Sequence, residues 1–240
     1  MGLLDLPAPF FDFVDRSFLG FLPPFARLVI WAALAAIASI LIYKWLSPQA
    51  KIAETKTAAA AARRRLNAHQ GDLESAMPLM RRSLRLASLQ VLLVLPGALI
   101  GSLPVLALLV WLDGAYARNF PPEHAAPVVE VSPAGRYVGN WRGDAAGGTI
   151  EIHDAAGQKV AALPLSKPIP QIEQRHWWNT LIGNPAGYLP EAGPLERVRI
   201  ALPEQEYLPA GPAWARSWFS IVLPVLLATS LAFLRIARIS

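Results

Sequence analysis

Two long apolar runs, Leu28 to Leu46 and Leu86 to Leu112, enclose a short, polar and strongly basic stretch, Ser47 to Arg85. Crossing ~30 Å of hydrocarbon takes ~20 helical residues, and both runs reach that length. Inside a bilayer every backbone polar group must be satisfied within the segment, so a run of this kind is restricted to helix. A third apolar run, Trp214 to Ile236, follows near the end of the chain. With 54% hydrophobic residues, 16% charged residues and a mean hydropathy of +0.35, the chain is too apolar for an ordinary soluble domain. The expected architecture is integral membrane α-helical, with transmembrane helices over residues 24–46, 86–112 and 214–236.

Each run carries its own boundary signals. The first holds Ser39 as its one interior polar side chain, and Lys44 can snorkel to the interface beside Trp45. The second contains Pro96, Gly97, Gly101 and Pro104, which predict a bent anchor or a kink that shapes a cavity. The third is entered through Trp214, Arg216 and Trp218, is interrupted by Pro224 and leaves through Arg235 and Arg238. Residues 237–240 form its tail.

Residues 1–23 interleave Phe10, Phe11, Phe13, Phe18 and Phe21 with Asp5, Asp12 and Asp15. This segment is too short and too acidic to span, and its aromatic residues suit the headgroup boundary, so an interfacial helix is expected around Pro9 to Leu19. It lacks the basic start and small-residue cleavage site of a signal peptide. Cysteine is absent, which excludes disulfides and thiolate sites and leaves an extracytoplasmic location open.

Charge sets the expected orientation. From Lys44 to Arg85 there are nine Lys or Arg and three acids, whereas Asp113 to Arg216 holds nine basic and eleven acidic residues. By the positive-inside rule the basic loop is cytoplasmic, and the N-terminus and the region 113–213 lie outside. A bacterial-type cytoplasmic membrane is the expected location.

Region 113–213 changes texture to short β-like runs: Val128 to Val131, Tyr137 to Trp141, Thr149 to His153, Lys159 to Leu163 and Val198 to Leu202. Turn signals stand at Pro133-Ala134-Gly135, Asp144 to Gly148 and Asp154 to Gly157. The spacing predicts a small all-β, sandwich-like domain, interrupted by a loop or short helix over Arg175 to Gly187.

Residues 47–85 read as a coiled-coil hairpin. Lys51 to Ala68 are good helix formers, and Gln70-Gly71-Asp72 stops that helix before a second begins. Its expected apolar seam is thin: Ile52, Ala59 and Leu66 against Leu73, Ala76, Met77, Met80 and Leu84.

This order of parts resembles the Oxa1 superfamily of membrane insertases, closest to its archaeal-type and eukaryotic membrane-complex branch. The resemblance rests on Lys44-Trp45-Leu46-Ser47-Pro48 through the hairpin to Gly71-Asp72, and on Met77-Pro78-Leu79-Met80-Arg81-Arg82-Ser83 running into the second span. It implies an insertase or assembly factor that helps hydrophilic flanks of client helices across the bilayer, with newly made membrane proteins and the ribosome as partners. The implied groove would draw on Ser39, Ser88, Gln90, Ser102, Thr229 and Ser230. No arginine stands mid-span, where the bacterial branch carries one, and each serine also suits helix-to-helix packing. The roughly 90-residue outer domain is a further departure, and suggests a second class of function: an accessory subunit that docks on a larger membrane complex.

Arg63, Arg64, Arg65, Arg81, Arg82 and Arg85 are the charged constellation with a functional reading, as contacts for ribosome, client or lipid headgroups. His69, His124, His153 and His176 lack metal-ligand spacing, and Gly147-Gly148 reads as a turn without a following helix to hold phosphate. No catalytic residue and no cofactor is expected.

Overall fold

The computed structural model describes residues 2–69, 71–122 and 125–237. Its helices are α1 (Ala8–Phe18), α2 (Pro24–Leu46), α3 (Gln49–Asn67), α4 (Leu73–Tyr116), α5 (Ala213–Arg216) and α6 (Phe219–Ala237). Three helical stretches are long and apolar enough to cross a membrane: Pro24–Leu46, Ala76–Tyr116 and Phe219–Ile236. The expected boundary at residue 86 is not a break in the backbone, because the second arm of the hairpin and the apolar run form the single helix α4. Proline at 78, 96 and 104 is accommodated within it. The third run does break, since Ser217 is extended between α5 and α6. Arg238, His124 and Gln70 lie outside the described residues.

The chain forms two compact units. One comprises Ala32–Val105 with the segment from Val225 onward. Here α2 and α4 meet through small residues. A Cβ added to Gly97 would fall 2.2 Å from Ser47 Oγ, and one added to Gly101 would lie 3.1 Å from the Ser39 carbonyl oxygen and 3.2 Å from Tyr43 Cβ. Glycines four apart thus form a flat strip on which Ser39, Tyr43 and Ser47, also four apart, are seated. Such strips let membrane helices approach closely where hydrophobic driving force is lacking.

The hairpin belongs to the same unit. Ile52, Thr55 and Ala62 are buried on α3, with Ala59 and Leu66 half-buried. On α4 the half-buried positions are Ala76, Leu79, Ser83 and Leu86. The expected seam holds at Ile52, Ala59, Leu66 and Ala76, but Met77, Met80 and Leu84 face outward and Leu79 and Ser83 take their place. Alanine, serine and a single leucine per turn suit an alanine-rich partner, because larger side chains would hold the helices apart. The side chain of Leu73 lies outside the described part.

The other unit, up to Trp31 together with Leu106–Pro224, contains two three-stranded antiparallel sheets. One consists of β2 (Tyr137–Asp144), β3 (Gly147–Asp154) and β4 (Lys159–Leu165) in that order. In the other, β6 (Arg197–Ile200) lies between β1 (Val129–Ser132) and β5 (Gln171–Glu173). Alternation is regular: Ile150 and Ile152 of β3 and Val198 and Ile200 of β6 point into a core shared with Val131 and Ile172. All five expected strand runs correspond to strands; β5 is additional, and its three residues are too few to show a period. The β2–β3 turn is tighter than expected, with Ala145 and Ala146 alone between the strands and the Ala146 N–H donating to Asp144 Oδ1 at 2.8 Å. The Arg175–Gly187 segment holds a 3-10 turn over Trp177–Thr180.

Filling the glycine strip should force α2 and α4 apart. Gly97→Val is expected to destabilise the detergent-solubilised protein by about 1–3 kcal/mol through overpacking, and Leu99→Val, on the exposed face of α4, by much less. Thermal unfolding followed by circular dichroism measures both; equal shifts would remove the role assigned to the strip.

Candidate functional site

Two arrangements of charged side chains stand out, one in each unit. The first is built on α1. Positions 8, 11, 12 and 15 share one helical face, and the structure turns that face inward: Ala8 and Asp15 are buried, and Phe11 and Asp12 are half-buried. Phe10, Phe13 and Phe18 point outward. The usual polarity of an amphipathic helix is thus largely inverted, with both carboxylates inside and three of the four phenylalanine rings outside.

Burying a carboxylate requires donors, and each one here has them. Asp15 Oδ1 accepts from Trp31 Nε1 at 2.9 Å and from the Tyr116 hydroxyl at 2.7 Å. Its Oδ2 accepts from Arg27 Nη1 at 3.3 Å. Asp12 accepts from Trp111 Nε1 at 2.8 Å and from Lys167 Nζ at 2.6 Å. Arg27 also donates to the carbonyl oxygens of Gly20 and Leu22, at 2.6 and 2.9 Å. Phe11 packs against both indoles, with ring centroids 5.2 Å from Trp31 and 5.4 Å from Trp111. The tilted and edge-on geometries place ring edges against faces, the favoured arrangement.

The same unit is tied further at Tyr207, whose hydroxyl donates to the Tyr116 carbonyl oxygen at 2.8 Å. Burial raises the pKa of this phenol well above the ordinary tyrosine range, so it remains a donor. Asp5 is also buried and accepts locally from the Gly2 N–H at 2.9 Å. A cavity of about 310 Å³ opens beside Asp12, Asp15, Arg27 and Lys167. Arg27 pairs with Asp15 and Lys167 with Asp12, while the exposed Arg16 also lines the cavity; the two pairs act as a clamp that fixes α1. Sequence reading took these aspartates as interfacial polarity and left Arg27, Trp31, Trp111, Tyr116 and Lys167 without a role in binding them. The available signal was the spacing of Asp12 and Asp15 on the face of Phe11.

The second arrangement is the basic face of the hairpin. Arg63, Arg64, Arg65, Arg81, Arg82 and Arg85 are all exposed, and none forms an ion pair among the described residues. Arg65 and Arg82 are brought together from α3 and α4 onto a groove of about 100 Å³ floored by Ala58, Ala61, Ala62 and Leu79. The other four arginines are distributed along the two helices outside this groove.

The six expected groove residues are dispersed. Ser39 has its hydroxyl oxygen buried, and its backbone carbonyl packs against Gly101. Ser102 donates to the Leu99 carbonyl oxygen of its own helix at 2.8 Å. Ser88 is exposed, while Gln90, Thr229 and Ser230 are half-buried. Among the described residues there is no group of three His, Asp or Glu placed to hold a metal.

The clamp should dominate the stability of its unit. Asp15→Ala leaves the Trp31 and Tyr116 donors and the half-buried Arg27 guanidinium without their acceptor and is expected to cost about 3 kcal/mol. Lys167→Ala, removing the more exposed pair, should cost about 1 kcal/mol. Denaturant unfolding in detergent, read by tryptophan fluorescence, checks the order of the two. No protein family matches the chain, and comparison with curated proteins and with solved structures yields no match.

Proposed function

We propose that this protein is a multi-pass protein of a bacterial-type cytoplasmic membrane that acts as an Oxa1-like insertase or assembly factor. The hairpin and C-terminus face the cytoplasm, and α1 and the β domain face outward. One observation carries the reading: six exposed arginines without ion-pair partners among the described residues lie on a helical pair, and α4 continues from that pair as apolar helix. Such a face attracts anionic headgroups, acidic client flanks or ribosomal RNA. A client held there would have its hydrophilic flank at the membrane surface, beside helix through which the apolar part can reach lipid.

The placement of Ser39 against Gly101 favours a second reading, in which the spans are a packed anchor and the protein is an accessory subunit docking through its β domain. The two differ in what touches α4. Photocrosslinkers at Gln90 and Ser102 should trap varied nascent membrane proteins under the first reading and one constant partner under the second. Replacing Arg63, Arg64 and Arg65 together by Gln should lower client insertion and ribosome co-sedimentation several-fold, with steep salt dependence in the parent. Unchanged insertion, with topology intact by protease protection, would remove the functional role of these arginines.

A further inference from the structure

The β domain presents an apolar loop whose position is tied to two elements already assigned to the membrane. Trp177 is 86% exposed, Leu181 52% and Ile182 56%. These are large apolar side chains close together in sequence on a domain whose other apolar residues largely fill a core.

Two contacts fix the loop beside the N-terminal segment. The Leu4 N–H donates to the Leu181 carbonyl oxygen at 3.0 Å. Gly183 packs backbone to backbone on Gly2, so closely that an added Cβ would overlap the Gly2 nitrogen and Asp5 Oδ2. The loop is thereby continuous with the outward-facing Leu3, Leu6 and Phe10. A third relation sets its level: Ile182 and Gly183 line a cavity of about 500 Å³ together with Leu109, Val110 and Asp113 of α4. Leu109 and Val110 belong to the apolar part of α4, and Asp113 is its first charge beyond Arg85. Ile182 therefore stands at the height where α4 passes from apolar to polar.

We propose that the Trp177–Gly183 loop is a membrane-dipping element, placing Trp177, Leu181 and Ile182 in the headgroup boundary of the leaflet on the β-domain side. The partner is the phospholipid surface itself. Tryptophan at the headgroup level and aliphatic side chains just below it are the chemistry that this boundary accepts. The outward aromatic face of α1 and this loop would then form one lipid-facing surface, with the Gly2–Gly183 contact as its seam. The inference rests on α4 crossing the bilayer, as proposed above.

The absence of cysteine makes the test direct. Single-cysteine variants Ile182→Cys, Trp177→Cys, Leu99→Cys and Ala156→Cys of the full chain are spin-labelled and reconstituted into phosphatidylcholine–phosphatidylglycerol vesicles. Collision with lipid-soluble oxygen is compared with collision with a water-soluble nickel chelate. Leu99 lies on the exposed face of α4 and reports insertion of the span; Ala156, in the β3–β4 turn, reports water. Labels at 177 and 182 are expected to show an oxygen-to-nickel ratio several-fold above that at 156, with Leu99 higher still. Water-like ratios at 177 and 182 with a lipid-like Leu99 would overturn the loop's role and leave the span intact. A water-like Leu99 would overturn the span and the loop together. Shielding of 177 and 182 from both reagents would assign the surface to a second copy of the chain instead of lipid.

Discussion

Asp15 is the constraint on which the arrangement of the first unit depends. A buried carboxylate is tolerated only with matched donors, and its donors come from α2, through Arg27 and Trp31, and from α4, through Tyr116. Once that carboxylate is placed, Asp12 falls one turn back on the same face, within reach of Trp111 and Lys167. The helix α1 is then held by charge and by the Phe11 ring against two indoles, and Phe10, Phe13 and Phe18 are left facing outward. An acidic, aromatic segment that looks like a simple surface helix is instead a polar lock with an apolar exterior.

The second unit works on the opposite principle. There α2 and α4 meet over backbone, through Gly97 and Gly101 against Ser39, Tyr43 and Ser47, and dispersion over a close contact replaces charge. The hairpin repeats this economy with alanine, which allows α3 and α4 to approach closely but buries little apolar surface. What the hairpin holds out is charge, and Arg65 and Arg82 combine it from the two arms over a floor of alanine and leucine. A marginal helical pair with a basic exterior is suited to meeting changing anionic surfaces, which is the property that the proposed insertion role uses.

Much of this was legible beforehand wherever the signal is local. Hydropathy over twenty residues marks helices, and α2 begins and ends where its proline and Ser47-Pro48 say it should. Alternation and turn residues marked five of the six strands, because Ile150 and Ile152, or Val198 and Ile200, carry the period within a few residues. The unbroken course of α4 was less visible: the change from Arg85 to Leu86 alters what surrounds the helix, not its hydrogen bonding. The hairpin seam was legible at Ile52, Ala59, Leu66 and Ala76, but on α4 three further positions were placed one residue off. Met77, Met80 and Leu84 and their neighbours Ala76, Leu79 and Ser83 have the same helical spacing, so periodicity alone cannot choose between the faces.

What the sequence by itself determined is the inventory: three helices long and apolar enough to cross a membrane, a basic hairpin, and a β domain with its strand period. These follow from local hydropathy, helix formers and turn chemistry, each readable within one segment. Only the tertiary structure decided which faces meet. Asp15 finds Trp31 sixteen residues away and Tyr116 one hundred and one away, and Asp12 finds Lys167 at a separation of one hundred and fifty-five. Such pairings depend on how the chain returns to itself, and a carboxylate carries no mark in sequence of whether water or an indole will satisfy it.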